Sequence, residues 1–135
     1  MEQTRYQKIF ITGALGFVGR ALAARYRALG AQTCGLDVRA DSAWGVVAGD
    51  VTRPDEWQGH INGCDLVIHT AAIVTNNVSR EEAWRVNVLG TRRVLDAAIR
   101  AGVKRFVHIS SLAAMRFIVD DNADESAPVM PTGNP

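Results

Sequence analysis

The fold of this chain is decided by the stretch Lys8-Ile9-Phe10-Ile11-Thr12-Gly13-Ala14-Leu15-Gly16-Phe17-Val18-Gly19. An apolar run typical of a strand leads into three glycines spaced three residues apart, and a helical pattern follows. In such a turn Gly13 permits the tight bend, Gly16 lets a pyrophosphate approach the backbone, and Gly19 lets the helix pack closely on the strand. Unpaired N–H groups at the helix start would bind the phosphates. The stretch predicts a dinucleotide-binding turn with contacts from Gly13, Gly16, Phe17, Val18 and Gly19.

The remaining sequence alternates short strand-like runs with longer helical runs, which is the pattern of the βαβ units that build a parallel sheet. Five strands are predicted at residues 8–12, 32–36, 45–48, 65–70 and 105–110. Helices are predicted at 17–29 and at about 80–101, with a short turn near 55–60. Right-handed crossovers would give the strand order 3-2-1-4-5. The predicted fold class is therefore α/β, a Rossmann-type doubly wound parallel sheet.

The long predicted helix carries signals at both ends and a polar residue inside. Ser79 and Glu82 have the spacing of a capping box, and Gly102 stands where a left-handed C-terminal cap belongs. Asn87 would share one face of the helix with Thr91, and a buried amide there must find hydrogen-bond partners. The backbone of the fourth or fifth strand is the expected partner.

Composition excludes several classes of function. The chain has 135 residues, the size of one domain, with 47% hydrophobic residues, a formal charge of +1 and scattered basic residues, so no nucleic-acid partner is predicted. No apolar run approaches the ~20 residues that cross a bilayer and no secretory signal is present, so no membrane partner is predicted and the cytoplasm is the expected location. Cys34 and Cys64 match neither a metal-site nor a redox-pair spacing and are interpreted as reduced core or loop thiols. His69 is interpreted as a packed strand residue, and no metal site is predicted.

An acidic residue after the second strand strengthens the interpretation of the glycine turn, because glycines alone also gather in turns that bind nothing. Asp37 follows Gly19 by 18 residues and is placed to accept hydrogen bonds from the adenosine ribose hydroxyls. A carboxylate there repels a 2′-phosphate, so NAD is favoured over NADP. The alternative is that Asp37 swings away and Arg39 faces such a phosphate.

Two further segments fall at predicted strand ends, where ligands of open α/β sheets bind. Asp50 could accept a hydrogen bond from an adenine amine while Val51 packs on the ring, and a plain turn is an equal alternative. The small residues Ala71 and Ala72, at the exit of the fourth strand, would leave space for a ribose. Both segments are therefore candidate cofactor contacts.

Six motifs resemble, in order, those of the extended short-chain dehydrogenase/reductases, the family of NAD-dependent epimerases/dehydratases and 3β-hydroxysteroid dehydrogenase-like enzymes. They are Thr12–Gly19 with its three glycines, Asp37, Asp50-Val51, His69-Thr70-Ala71-Ala72, Asn87-Val88-x-Gly90-Thr91 and Ser110-Ser111. The resemblance covers essentially the whole chain and matches the N-terminal portion of such enzymes. It implies NAD as cofactor, a steroid, flavonoid or nucleotide-sugar type of small-molecule substrate, a catalytic role for Ser111 and a cofactor contact from Ser110. From the residues alone, Ser110-Ser111 would be a strand-to-loop turn.

In that family a tyrosine, with a lysine four residues later, handles the proton. The tyrosines of this chain are Tyr6 and Tyr26, and neither is followed by a lysine at that spacing. The expected organisation is an NAD-binding domain at 1–117, with the sheet truncated after the fifth strand, and a loop at 118–135 leading toward an absent catalytic and substrate-binding region. Alone, such a chain is expected to be inactive. The alternative is a non-catalytic dinucleotide-binding module for sensing or assembly, whose open sheet flank could pair with a second copy as a homo-oligomer.

Overall fold

The computed structural model describes residues 3–115 and 124–129, so most of the predicted loop at 118–135 lies outside the described residues. A parallel sheet of five strands forms its centre. The strands are β1 (Lys8–Thr12), β2 (Gln32–Asp37), β3 (Val46–Ala48), β4 (Leu66–His69) and β5 (Arg105–His108). Their order is β3-β2-β1-β4-β5, which confirms the predicted topology and the Rossmann-type fold class.

Strand ends differ from the prediction by one or two residues, except in β1. β4 begins at Leu66 rather than Asp65, and the Asp65 carboxylate accepts three hydrogen bonds just before the strand. Its donors are the backbone N–H groups of Gln7 (2.9 Å) and Lys8 (3.2 Å) and the Lys104 ammonium (2.9 Å). The Lys104 hydrogen bond, with those two backbone donors, lowers the pKa of Asp65 to about 2. Asp65 therefore ties together the starts of β1, β4 and β5.

The helices are α1 (Phe17–Ala28), α2 (Arg80–Trp84) and α3 (Thr91–Arg100). A π-helical segment, Arg85–Gly90, joins α2 to α3 without a break. The prediction of one regular α-helix at 80–101 is therefore wrong in its middle, where the chain is wound more widely. Single 3-10 turns lie at Ser42–Trp44, Pro54–Glu56, Gln58–Ile61 and Leu112–Ala114. The second and third of these occupy the predicted turn near 55–60.

The ends of the long helical stretch confirm two of the predicted signals. The Ser79 hydroxyl accepts a hydrogen bond from the Glu82 N–H at 3.1 Å, and Gly102 has the expected left-handed φ of 68°. A capping box also requires the Glu82 side chain to accept a hydrogen bond from the Ser79 N–H. This part of the prediction is wrong, because the Glu82 carboxylate pairs with Arg85 at 2.7 Å instead. Glu82 is thereby turned away from the helix start and toward the carboxyl edge of the sheet.

Apolar side chains fill both faces of the sheet. On one face Phe10 packs with Trp57, Ile61, Val67 and the buried side of α3. On the other face, residues of β1 and β4 pack against α1, through Ile9, Ile11, Leu66, Ile68 and Ala23. Alternate residues of β1 thus feed both cores, as expected for a strand that is covered on both faces.

The β5 flank of the sheet is more exposed than its centre. Every residue of β4 is buried, whereas the β5 residues Arg105, Val107 and His108 are exposed. Ile109, just beyond the strand, is 42% exposed. No helix in the described part of the chain is long and apolar enough to cross a membrane.

Candidate functional site

A cleft of about 580 Å³ opens at the carboxyl ends of β1 to β4, above the glycine turn. Of the residues predicted as contacts, those that line it are Gly13, Gly16, Phe17, Val18, Gly19, Asp37, Asp50, Val51, Ala71 and Ala72. Sequence reasoning missed the lining residues Leu36, Val38, Gly49, Thr70, Ile73, Val74, Glu82, Arg85 and Val86. The exit of β1, the exit of β4 and the start of α1 meet here, as the topology requires.

The glycine turn is shaped by two close approaches that a side chain would prevent. Gly13 has φ 65°, and a Cβ there would lie 2.7 Å from the Thr70 hydroxyl and 2.9 Å from the Ala71 nitrogen. A Cβ on Gly19 would collide with the Gly13 carbonyl oxygen, so α1 starts directly against the turn. Gly16, with φ −72°, caps α1 without a side chain. The turn therefore leaves the first N–H groups of α1 facing the cleft unobstructed.

The start of α1 suits an anion. No side chain caps it, and its first turn contains no acidic residue. Helix N-termini carry partial positive charge and N–H groups without intrahelical partners. Phe17 is 95% exposed at this end and lines the cleft together with Val18. The exposed apolar pair and the helix end together form one wall of the cleft.

Asp37 has a structural task that the sequence did not reveal. Its carboxylate accepts hydrogen bonds from the Leu15 N–H, inside the glycine turn, at 2.9 Å and from the Val38 N–H at 2.8 Å. An ionised carboxylate offers about four acceptor positions, so acceptor capacity is left for a ligand hydroxyl. Arg39 is exposed and lies outside the cleft lining. The structure thus places Asp37, and not Arg39, in the cleft.

A charged network closes the side of the cleft formed by β3. Asp50 accepts from the Thr52 N–H (2.8 Å), the Thr52 hydroxyl (2.7 Å) and Arg85 Nη1 (2.9 Å). Burial raises the pKa of Asp50, but the hydrogen bonds from Thr52 and Arg85 outweigh it and hold that pKa below its usual value. Arg85 also pairs with Glu82, and its hydrogen bond lowers the pKa of that carboxyl group. Both acids are therefore ionised beside the cleft near neutral pH.

Arg85 and Glu82 were the largest omission of the sequence reasoning. Their i,i+3 spacing is a signal that could have indicated the ion pair that the structure contains. Arg85 begins the π-helical segment and also bonds to Asp50 of the cleft at 2.9 Å, which is a tertiary contact. No local signal in the sequence marks that segment.

A hydrogen-bonded chain runs beneath the cleft through His69, which is 1% exposed. Thr12 Oγ1 lies 2.6 Å from Nδ1, and Thr91 Oγ1 lies 2.9 Å from Nε2. Since the Thr91 hydroxyl donates to the Asn87 carbonyl, it accepts from His69 Nε2–H. Nδ1 then accepts from the Thr12 hydroxyl, which accepts from the Ala71 N–H at 3.2 Å. Burial, together with His108, lowers the pKa of His69 to about 4, so the imidazole is neutral and packed as predicted.

Asn87 supports the cleft from behind. Its amide nitrogen donates to the Ile73 carbonyl at 2.9 Å, and its amide oxygen accepts from the Ile73 N–H at 2.8 Å. The predicted backbone partner is therefore found just beyond β4 rather than within it. This two-way bond fixes the segment that carries Ala71 and Ala72 along the cleft.

The two serines after β5 lie outside the cleft lining and are exposed. The Ser111 hydroxyl accepts from the Ala113 N–H at 3.2 Å and so caps the turn Leu112–Ala114. Ser110 precedes it without a place in the cleft. The catalytic role of Ser111 and the cofactor contact of Ser110 stay predictions.

A sequence model of the NAD dependent epimerase/dehydratase family matches residues 9–135. The chain belongs to this family. It is 33% identical over 120 residues to a 3β-hydroxysteroid dehydrogenase/Δ5→4-isomerase of Mycobacterium tuberculosis, covering 80% of this chain and 32% of that protein. It is 39% identical over 129 residues to a putative dihydroflavonol 4-reductase of Synechocystis, covering 87% of this chain and 36% of that protein.

A solved structure has the same fold. A short-chain dehydrogenase/reductase superfamily protein from Agrobacterium tumefaciens, with bound NAD, superposes with a TM-score of 0.81 at 34% identity. The match covers 94% of this chain and 40% of that one. The chain thus spans about a third of the length of the curated relatives it matches.

Proposed function

We propose that this chain binds NAD in the cleft, as the nucleotide-binding portion of an oxidoreductase or epimerase that acts on a hydroxyl or keto group. One observation carries the proposal: the glycine turn, held open by Gly13 and Gly19, directs the uncapped start of α1 at a cleft that also contains Asp37. These features fit a dinucleotide, because phosphates suit the helix start and ribose hydroxyls suit a carboxylate acceptor. When bound, NAD supplies a hydride acceptor.

Each side of the cleft has a task in this proposal. The backbone of Gly13–Gly19 would hold the pyrophosphate, and Asp37 would accept from the adenosine ribose. Asp50 has acceptor capacity beyond its Thr52 and Arg85 bonds and would face the adenine with Val51. Ala71 and Ala72 would leave room for the second ribose.

The proposed substrate is a small molecule with a secondary alcohol or a ketone. Two of the curated relatives are named as a hydroxysteroid dehydrogenase and a putative dihydroflavonol reductase, which supports this class. Ser111 is proposed to bind the reacting oxygen. Because neither Tyr6 nor Tyr26 lies in the cleft lining, we propose no acid–base step for the residues described.

Binding is tested by calorimetry with NAD on the 135-residue chain and on Gly16→Val. Gly16 has a φ that any residue adopts, and a Cβ there would lie 3.2 Å from the Gly13 carbonyl oxygen, so the variant should fold after a small shift of the turn. Its side chain would occupy the pyrophosphate path. We expect saturable binding by the parent chain and at least about a tenfold loss, or about 1.4 kcal/mol, in the variant.

Gly59→Ala is the matched control, because a Cβ on Gly59 meets nothing within 4 Å and Gly59 lies outside the cleft. It should bind NAD as the parent chain does. Absence of binding by the folded parent chain, or equal binding by Gly16→Val, would overturn the proposal.

A further inference from the structure

The two cysteines, distant in sequence, meet on one face of the sheet. Cys34 lies in β2 opposite Phe10 of β1, and Phe10 in turn lies opposite Val67 of β4. Cys64 comes just before β4 and is buried in the same core as Phe10 and Val67, with Cys34 packed against it. The two Sγ atoms are 3.9 Å apart. The fold therefore creates a thiol pair that the spacing of the residues did not predict.

The surroundings of the pair give the two thiols different character. Cys64 is 6% exposed, whereas Cys34 is only partly buried. Both thiols lie near the His60 carbonyl oxygen, at 3.8 Å and 3.7 Å. The hydrogen bond from Cys64 lowers the pKa of the Cys34 thiol, and Lys8 acts in the same direction. Besides this hydrogen bond, burial also raises the pKa of the Cys64 thiol. Because Cys34 is the more accessible of the two thiols, an oxidant reaches Cys34 first.

We propose that Cys34 and Cys64 form a redox-active pair that closes reversibly to an intramolecular disulfide when the chain meets a hydroperoxide. The Cys34 thiolate attacks the hydroperoxide, the O–O bond breaks, and Cys34 becomes a sulfenic acid as an alcohol or water leaves with the proton. The Cys64 thiol then attacks that sulfur, so that an S–S bond forms, the S–O bond breaks and water leaves. Two thiols are oxidised by two electrons, and one hydroperoxide is reduced.

Closure requires the sulfurs to approach to the ~2.0 Å of an S–S bond, and the chain has a place where it can move. Cys64 follows Gly63, which has a left-handed φ of 76° and no atom within 4 Å of a Cβ built there. Cys34 is held in the ladder of β2 and Asp65 is anchored at the start of β4, so residues 62–64, between the 3-10 turn that ends at Ile61 and Asp65, are the part that shifts. The disulfide would close the loop 34–64, which contains β3 and Asp50.

The test uses the whole chain, treated with a slight excess of hydrogen peroxide and then digested with trypsin without reduction. Because Arg53 precedes Pro54, trypsin leaves the peptides 28–39 and 40–80 with one cysteine each. We expect a cross-linked pair of these peptides, loss of both free thiols, and an unfolding midpoint several degrees higher than before, since closing such a loop restricts the unfolded chain. Dithiothreitol should restore both thiols and the original midpoint.

Single variants separate the two steps. Cys64→Ala should stop at a Cys34 sulfenic acid that dimedone captures, whereas Cys34→Ala should react far more slowly. Oxidation of the parent chain to sulfinic acid, or to disulfides between chains, without the linked peptides would overturn the proposal. That measurement needs only the parent chain, so it decides the matter even if a variant fails to fold.

Discussion

Asp37 supports the glycine turn by accepting a hydrogen bond from the Leu15 N–H, and it also lines the cleft. Asp37→Asn removes the negative charge and keeps one oxygen acceptor. We expect the ratio of the NADP and NAD dissociation constants to fall by at least about tenfold, or about 1.4 kcal/mol, because a 2′-phosphate is no longer repelled. Competition calorimetry with both cofactors measures this ratio. If the substitution loosens the glycine turn, both dissociation constants rise together and their ratio is unaffected.

Arg39→Ala is the control for this variant, since Arg39 is exposed and lies outside the cleft lining. Its ratio should equal that of the parent chain. An unchanged ratio in Asp37→Asn would show that Asp37 does not select the cofactor.

His69 makes the stability of the chain depend on pH. Its pKa is about 4 in the folded chain and about 6.5 when unfolded, so the unfolded state takes up the proton first. The free energy of unfolding therefore falls as pH drops from about 7 toward 4, by about 2 kcal/mol between pH 7.5 and pH 5. Urea unfolding at several pH values measures this slope. The pH range in which His69 changes the free energy of unfolding lies above the range in which Asp50 and Asp65 take up protons.

The exposed His60 provides the comparison, because His60→Gln should keep the full slope. His69→Gln should be less stable at pH 7.5 and should lose most of the slope. A parent chain equally stable at pH 7.5 and pH 5 would contradict the assignment of His69 as the titrating group.

At the scale of elements, Gly90 at the end of the π-helical segment packs against Val51. A Cβ on Gly90 would lie 2.6 Å from Val51 Cγ2, and both residues are buried. Gly90→Ala should therefore lower the free energy of unfolding by about 1–3 kcal/mol, as overpacking does. Denaturant unfolding measures the loss.

The double variant Gly90→Ala with Val51→Ala supplies the control, since it removes the methyl groups that cause the collision. We expect it to be more stable than the sum of the two single changes predicts. Strict additivity would mean that the cost of Gly90→Ala arises elsewhere. Val88→Ala, at a half-exposed position of the same segment, should have little effect.

Elements whose signals are local could be predicted from the sequence. The start of α1 at Phe17, the Ser79 cap and the left-handed Gly102 each depend on residues within one turn of each other. The π-helical segment could not be predicted from local signals, because its residues Arg85 and Asn87 bond to Asp50 and Ile73, which are distant in sequence. Propensity alone describes 80–101 as one regular helix.

At the scale of the whole molecule, parallel strand pairing explains which features could be predicted from the sequence and which could not. Strand order followed from crossover handedness, so the cleft could be placed at the carboxyl edge before any contact was known. Register could not be predicted, because it is set between strands that are far apart in sequence. The meeting of Cys34 with Cys64 and of Thr12 with His69 depends on that register.

The polar residues along the carboxyl edge of the sheet also allow ligand binding to be observed by NMR of the protein itself. Register aligns Thr12, His69 and His108 side by side, and His69 carries one fixed tautomer shielded from solvent. The ring-nitrogen resonances of His69 should therefore be sharp. Their chemical shifts should change when a molecule in the cleft alters the hydrogen bond from the Ala71 N–H to Thr12, because the Thr12 hydroxyl is bonded to His69 Nδ1. Occupancy of the cleft can thus be followed by nitrogen-15 NMR of a single buried imidazole, with no label on the ligand.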